Sequence, residues 1–496
     1  MKDYQQVKER TISGLIWSFI DLLASQGIQF VVLLILARIL APEHFGLIGM
    51  VAIVIAVSNS IIDSGFSQAL IREKEVSRAE YSTIFYFNIL MSSLLYTALY
   101  VAAPYISAFF NESQLMIMIR FLSFGIVVNS FAIIPRVLLI KKLQFRTQSL
   151  ITMTSSTLAG IFSVYLAAKG YGVWSLFVQA LMTQALQTIF LWTVTKWLPV
   201  WSFKIAFFRR LFRFGSKLLL SGLIDTFYQN IYSLLIGRLY PAAMLGYYTN
   251  AAKLTDVIAN STTAALQRVT YPVLSGFQDD ALQLRNMYER LIRLAAYIMF
   301  PLMIGFLTVA ESFIPLLLGE QWIHSIGYFK LLCLAAMIYP LHALNLNILQ
   351  VKGRADLFLK LEIIKKSLLT LLIGASLLFS LGIYGLITAA VLCSYLSLFI
   401  NTYYSAREIS YSVQEQLKDL IPSFFLALLM GGFVLLVGML LPELYFIRIL
   451  VQGLSGVIFY FTMSRVLKLF EFEILYSELM RIFNGRKEKL MKAKGA

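Results

Sequence analysis

Long apolar runs broken by short polar turns fill the chain from residue 14 to residue 468. A helix needs about 20 apolar residues to cross a hydrocarbon core of about 30 Å. That template predicts about fourteen transmembrane helices, at 14–38, 45–71, 82–106, 116–138, 148–168, 173–195, 215–238, 245–268, 292–318, 326–350, 361–380, 384–404, 421–441 and 448–468. Runs this long must be helices, because in lipid every backbone amide has to be satisfied within its own segment or within a closed barrel. The expected fold class is all-α integral membrane. The first apolar run leads directly into further spans and is read as a retained helix, not a cleaved leader.

The positions of Lys and Arg give an orientation. One set of turns carries Arg72, Lys74, Arg78, Lys141, Lys142, Arg146, Lys352, Arg354 and Lys360, and the tail adds Arg486, Lys487, Lys489, Lys492 and Lys494. The opposite ends carry only Arg38, Arg120, Lys169, Arg238, Lys330 and Arg448. By the positive-inside rule both termini are expected in the cytoplasm. The formal charge of +16 therefore reports membrane topology, and nucleic acid is not an expected partner.

The chain is 59% hydrophobic and 14% charged, with a mean hydropathy of +0.76. A soluble protein could not bury that much apolar surface. Cys333 and Cys393 lie in apolar runs without CxxC spacing, and the histidines His44, His324 and His342 are scattered. No disulfide framework, metal site or cofactor is expected. A nucleotide-binding Gly-rich loop and a His-Glu-x-x-His motif are both absent, which argues against direct ATP drive and metalloprotease chemistry.

Two halves of the sequence resemble each other. An offset of 200 residues places Arg38 on Arg238 and Gly46 on Gly246, and sets Asp21, Ser25 and Gln29 against Ser221, Asp225 and Gln229. Each triplet has i, i+4, i+8 spacing and forms one polar stripe on a helix. Gly170-Tyr171-Gly172-Val173 is echoed by Ile383-Tyr384-Gly385-Leu386, where glycine is expected to permit tight reversals. The expected organisation is an N-terminal six-helix lobe over 1–195, a cytoplasmic interfacial linker over 196–214 and a second six-helix lobe over 215–404. Helices 13 and 14 with a basic cytoplasmic tail fill 405–496. In such parallel repeats the binding place is expected in a central cavity. The linker mixes Trp197, Trp201, Phe207, Phe208 and Phe212 with Lys204, Arg209, Arg210 and Arg213. It suits either a helix lying in the inner-leaflet interface or a plain basic loop.

Charged groups within the spans are the candidate chemistry, since burying them in lipid costs about 2.5–3.5 kcal/mol each on insertion scales. Asp21, Ser25, Gln29, Arg136, Asp225, Gln229, Lys253 and Asp256 are the candidate lining of a polar cavity. Arg136 and Lys253 would meet an anionic head group, and Asp21 or Asp225 would bind a coupling proton or sodium ion. Other readings stand beside these. Lys253 and Asp256 have the spacing to pair with each other, Asp63 lies next to a turn, and Arg38 and Arg238 could anchor the outer ends. Tyr228, Tyr232, Tyr247 and Tyr248 fit packing or an interfacial belt better than sugar stacking.

Several pieces then occur in a telling order: Leu36-Ala37-Arg38-Ile39-Leu40-Ala41-Pro42-Glu43-His44-Phe45-Gly46, Lys142-Leu143-Gln144-Phe145-Arg146, Gly170-Tyr171-Gly172-Val173-Trp174, Tyr271-Pro272-Val273 with Phe277-Gln278-Asp279-Asp280, Leu318-Gly319-Glu320-Gln321-Trp322, and Lys352-Gly353-Arg354-Ala355-Asp356. As a set over residues 1–410 they resemble the polysaccharide-transport flippases of the multidrug/oligosaccharidyl-lipid/polysaccharide exporter superfamily, and most of all the colanic-acid and teichuronic-acid exporter branch. The resemblance implies a V-shaped, two-lobed fold working by alternating access in a bacterial cytoplasmic (inner) membrane. It implies passage of undecaprenyl-pyrophosphate-linked oligosaccharide repeat units from the inner to the outer leaflet, with cation coupling. Partners so implied are the lipid-linked oligosaccharide, membrane lipid and a polysaccharide polymerase. The competing expectations are a multidrug/cation antiporter of the same superfamily, a sugar-lipid membrane enzyme and a non-transporting scaffold.

Overall fold

A computed structural model describes residues 26–477, apart from 64 and 74, together with residue 480. Asp21, Ser25, Lys74 and the basic tail lie outside the described residues. The described chain is all-helical, without strands. It forms α1 (Gln26–Ile39), α2 (Pro42–Asp63), α3 (Phe66–Arg72), α4 (Arg78–Phe110), α5 (Leu115–Lys141), α6 (Phe145–Ala168), α7 (Trp174–Thr195) and α8 (Ile205–Leu239). Then follow α9 (Ala242–Gly276), α10 (Ala281–Leu318), α11 (Ser325–Ala336), α12 (Tyr339–Val351), α13 (Ala355–Leu378), α14 (Gly382–Ile409), α15 (Val413–Met439) and α16 (Tyr445–Val466).

Among the described residues, helix falls on each of the fourteen expected spans, on the first of them from Gln26 onward. Among the described residues, ten helical stretches are long and apolar enough to cross a membrane, the first of them made of α2 with α3 and the seventh of α11 with α12. The remaining four expected spans correspond to α1, which falls on the described part of the first, and to α8, α9 and α13. In the second span α2 ends at Asp63 and α3 starts at Phe66, and Gly65 sits at φ 67°. The tenth pauses at Met337 and Ile338, with Pro340 in the first turn of the helix that follows. A proline there lacks only an N–H that would have had no intrahelical partner.

Helix starts follow local side-chain chemistry. Ser77 and Glu80 cap each other's backbone N–H groups at the start of α4, and Ser412 and Glu415 do so for α15. The Asp280 carboxylate accepts from the N–H groups of Leu282 and Gln283 and opens α10. Each device satisfies amides that have no partner in the first helical turn.

The chain divides into two compact units, one ending at Thr249 and the other starting at Asn250, within α9. In the first unit, Phe66, Leu70, Tyr81, Phe85, Ile134 and Val137 pack around Trp197, Phe207 and Leu211. Residues 196–204 have no regular structure and α8 begins at Ile205, so the second half of the expected linker is continuous with the seventh span. The irregular part is fastened to α4: Arg78 Nε donates to the Leu198 carbonyl at 2.9 Å, the Val200 N–H to Ser82 Oγ at 2.8 Å, and the Lys204 N–H to Thr83 Oγ1 at 2.9 Å. Trp201 is nonetheless 92% exposed.

The same unit holds a reciprocal contact between repeat-related positions. A Cβ on Gly46 would collide with the backbone carbonyl of Ala242, and a Cβ on Gly246 with that of Pro42. Pro42 and Ala242 are themselves 200 residues apart, so α2 and the first turns of α9 cross backbone against backbone in the same way from both sides. The turn between α6 and α7 uses Gly170 at φ 85° and Gly172 at φ 55°. Its echo differs: Gly382 takes the left-handed conformation, at φ 71°, and Gly385 lies inside α14, where a Cβ would strike Ser376 and Leu381.

In the second unit, α15 and α16 pack on α10 through small residues and aromatic hydroxyls. Gly431 faces Ile304 and Gly456 faces Val434. Tyr297 donates to Ser464 Oγ at 2.9 Å, and Tyr460 donates to the Tyr297 carbonyl at 3.0 Å. Arg293 joins Glu289, Asp419 and the buried Glu471 at one end of these helices. Close approach by glycine and interhelical hydrogen bonds are how helices associate where the hydrophobic effect cannot separate them from lipid. The outward residues of α16, among them Phe446, Leu450, Leu454, Val457 and Phe461, are exposed and suit acyl chains.

Candidate functional site

Two polar faces stand out, one in each unit. In the first unit α2, α5 and α7 contribute. Asn59 and Asp63 are spaced i, i+4 on α2, Asn129 and Arg136 i, i+7 on α5, and Gln184 and Gln187 i, i+3 on α7. Those spacings put each pair on one side of its helix. Asn129 Nδ2 donates to Asn59 Oδ1 at 3.2 Å, and Arg136 Nη2 to Gln187 Oε1 at 3.4 Å. Arg136 is half-buried, and the Asp63 carboxylate lies within electrostatic reach of it. Asp63 also accepts from Ser67 Oγ. This face is polar but its members largely satisfy one another.

In the second unit the face belongs to α9. Lys253, Asp256, Asn260, Gln267 and Tyr271, with Ala264 in register, recur at steps of three and four. From Lys253 to Tyr271 they run about 27 Å at 1.5 Å per residue, nearly the depth of a hydrocarbon core. Lys253, Asp256, Asn260, Gln267, Arg268 and Tyr271 are all exposed, while Leu254, Thr255, Ala259, Thr270 and Leu274 on the other sides are buried. Among the described residues no ion pair joins Lys253 to Asp256. Their i, i+3 spacing therefore does not produce the mutual neutralisation that the sequence left open.

The other expected site residues fall as follows. Gln29 is exposed on α1. Asp225 and Gln229 are exposed on α8, along with Ser221, so this stripe has the expected register. Asp21 and Ser25, the rest of its partner stripe, lie outside the described residues. Tyr232 packs on Tyr248 with ring centroids 6.2 Å apart, in keeping with the packing reading. Arg238 stacks over Phe109 at 5.2 Å, in keeping with an anchoring role.

Asn59, Asn129, Gln187, Gln267, Arg268, Asn347 and Gln350 were missed by the sequence reading. Neutral amides are inconspicuous when spans are scanned for charge. Arg268 sat at the edge of the span assigned to residues 245–268, whereas α9 continues to Gly276. The signal that could have found Gln267, Arg268 and Tyr271 is the 3.6-residue recurrence of polar positions after Lys253.

A multi-pass helical membrane protein with an exposed polar helix face nearly a span long has the features of the membrane transporters as a class, and comparison with known proteins narrows it. Residues 35–327 match the model of the family described as polysaccharide biosynthesis protein, and the chain belongs to that family. It is 27% identical over 403 residues to the lipopolysaccharide biosynthesis protein WzxC of Escherichia coli (strain K12), covering 79% of this chain and 81% of that protein. It is 25% identical over 433 residues to the teichuronic acid biosynthesis protein TuaB of Bacillus subtilis (strain 168), covering 86% and 88%. Its fold is similar to that of the lipid II flippase MurJ in an inward closed conformation, with a TM-score of 0.72 and 15% identity over 91% of this chain and 99% of that one. The resemblance carried by the ordered motifs thus holds at the level of family and fold.

Proposed function

We propose that this chain moves undecaprenyl-pyrophosphate-linked oligosaccharide repeat units from the inner to the outer leaflet of a bacterial cytoplasmic membrane, by alternating access, for cell-surface polysaccharide synthesis. The observation that carries this reading is the accessible polar face of α9, nearly a hydrocarbon core in length, in a chain of the polysaccharide biosynthesis family. A sugar chain entering lipid loses its hydrogen bonds with water at a cost of several kcal/mol per unsatisfied group. Amides, hydroxyls and charges along a helix supply replacements step by step, while the polyprenyl tail stays in lipid. The names of WzxC, TuaB and MurJ support the same cargo class.

The orientation, with both termini in the cytoplasm, rests on the distribution of Lys and Arg. The lobe boundaries expected from the repeat, at 195, 214 and 404, belong to this proposal. So do a coupling role for Asp21 or Asp225 and contact of cargo with a polymerase after release. In a cell with a negative interior, moving net negative charge outward is favoured by about 2.3 kcal/mol per charge per 100 mV. A proton or sodium ion would then serve chiefly to reset the empty carrier. We read the chain as a carrier and not an enzyme. The cation-antiporter reading is weaker because the accessible face of α9 presents Lys253 and Arg268 against the one acid Asp256.

The test is depletion of the protein in a cell that makes the polysaccharide. Lipid-linked repeat units should accumulate in the inner leaflet, shielded from a membrane-impermeant glycosidase or periodate applied outside. An unchanged leaflet distribution would overturn the proposal.

A further inference from the structure

Near one end of α9, Ala264, Gln267, Arg268 and Tyr271 fall at i, i+3, i+4 and i+7, and so share a side of the helix. Asn347 and Gln350, at i and i+3 on α12, complete an open depression of about 480 Å³ with them. Small-ligand pockets span about 300–1,000 Å³. Two side-chain contacts tie the walls together: Asn347 Nδ2 donates to Thr270 Oγ1 at 3.4 Å, and Lys352 Nζ donates to the Gln278 carbonyl at 3.0 Å. The depression is thus framed by residues of α9 and α12 within a single unit, not by a loose loop.

The lining has a definite chemistry. Gln267 and Gln350 are exposed and each offers donors and an acceptor, which is what a vicinal pair of hydroxyls needs, while the buried Asn347 already donates to Thr270 and braces the wall between them. Tyr271 is 44% exposed and presents an aromatic face to which the C–H face of a sugar ring can be applied. Arg268 brings a planar fork of donors that matches a carboxylate or phosphate in two-point contact. Among the described residues no acidic side chain lines the depression. A cation is therefore a poor ligand, and a purely apolar one leaves the amides unmatched.

We propose that this depression is a saccharide-reading site, taking a hydroxyl-rich ring that bears or adjoins an oxyanion. The proposal rests on the transport reading above and deepens it. Gln267 lies nine residues, about 13 Å, from the end of α9, on the side that the basic turns assign to the cytoplasm, where the cargo's glycan is assembled. The site would meet the glycan before passage and discriminate among repeat units there. The oxyanion has two sources, a carboxylate on a sugar and the pyrophosphate that links sugar to lipid, and the sugar carboxylate is the one that fits amides and Tyr271 around the same Arg.

The test uses the full-length chain in lipid nanodiscs carrying Gln350→Cys. The native cysteines Cys333 and Cys393 are buried, so a water-soluble maleimide reports on position 350. Trigalacturonate, maltotriose and inorganic pyrophosphate are added as probes and labelling is followed by mass. At a probe concentration twice its Kd, occupancy slows labelling about threefold. Trigalacturonate is expected to reach that slowing, maltotriose to protect less, and Arg268→Ala to remove the difference between them while Arg268→Lys keeps part of it. Protection by pyrophosphate equal to that by trigalacturonate would discard the sugar carboxylate as the source of the oxyanion. Labelling indifferent to trigalacturonate and maltotriose would overturn the site, as would full protection persisting in Arg268→Ala. Either failure leaves the leaflet assay untouched, so the site can fall while the transport reading stands.

Discussion

In α5 the polar side chains meet protein: Asn129 donates to Asn59 and Arg136 to Gln187. In α9 the corresponding face stays open, with Lys253 and Asp256 accessible and not neutralising each other. Both helices carry charge where lipid would forbid it, yet they resolve the cost differently. A polar group matched by a neighbouring helix holds the bundle together. One left facing an accessible space is available to water or cargo. Charge within a span is therefore a poor guide to function until its partner is known.

Four substitutions test that contrast, in descending order of effect. Arg136→Glu should place a second carboxylate beside Asp63 and strand Gln187. A hydrogen bond to a charged group is worth about 1.5–3 kcal/mol, so the expected result is a destabilised protein, read as a lowered unfolding midpoint in detergent. A normal midpoint would mean that α5 is no more knit together than α9. Lys253→Glu should do the opposite, leaving the midpoint unchanged while export of repeat units falls about tenfold, equivalent to about 1.4 kcal/mol of cargo interaction. Normal export in this variant would remove α9 from the cargo path. Asn129→Ala should cost about 0.6 kcal/mol, the average for an interhelical hydrogen bond in lipid. Hydrogen exchange at α2 and α5 would rise with little change in export. Trp201→Ala should leave folding and export within about twofold of the parent, because surface changes usually stay within about 0.5 kcal/mol. It should weaken binding to anionic liposomes if Trp201 sits in the headgroup layer, and equal liposome binding would place it in water.

The contrast also explains what the sequence disclosed. The helix positions were legible throughout the described residues because apolar length is a local property. The interruptions at Gly65 and at Met337 and Ile338 were not, since an apolar template averages over a broken turn. The template also stops where polar residues begin, and for that reason it cut α9 short of Tyr271. The segment 196–214 was read from its aromatic and basic mixture alone. Composition could not tell that Trp197, Phe207 and Leu211 would turn into the first unit's core while Trp201 stays outside. Site residues were least legible, because the sequence shows that Arg136 is charged but not that Gln187 waits beside it.

The crossing of α2 with the first turns of α9 bears on how such a carrier could change state. Gly46 abuts the chain at Ala242 and Gly246 abuts it at Pro42, so each strut is the mirror of the other. A side chain at either glycine would wedge the two segments apart and so disturb both close approaches at once, which ties the fit of one repeat-related position to that of the other.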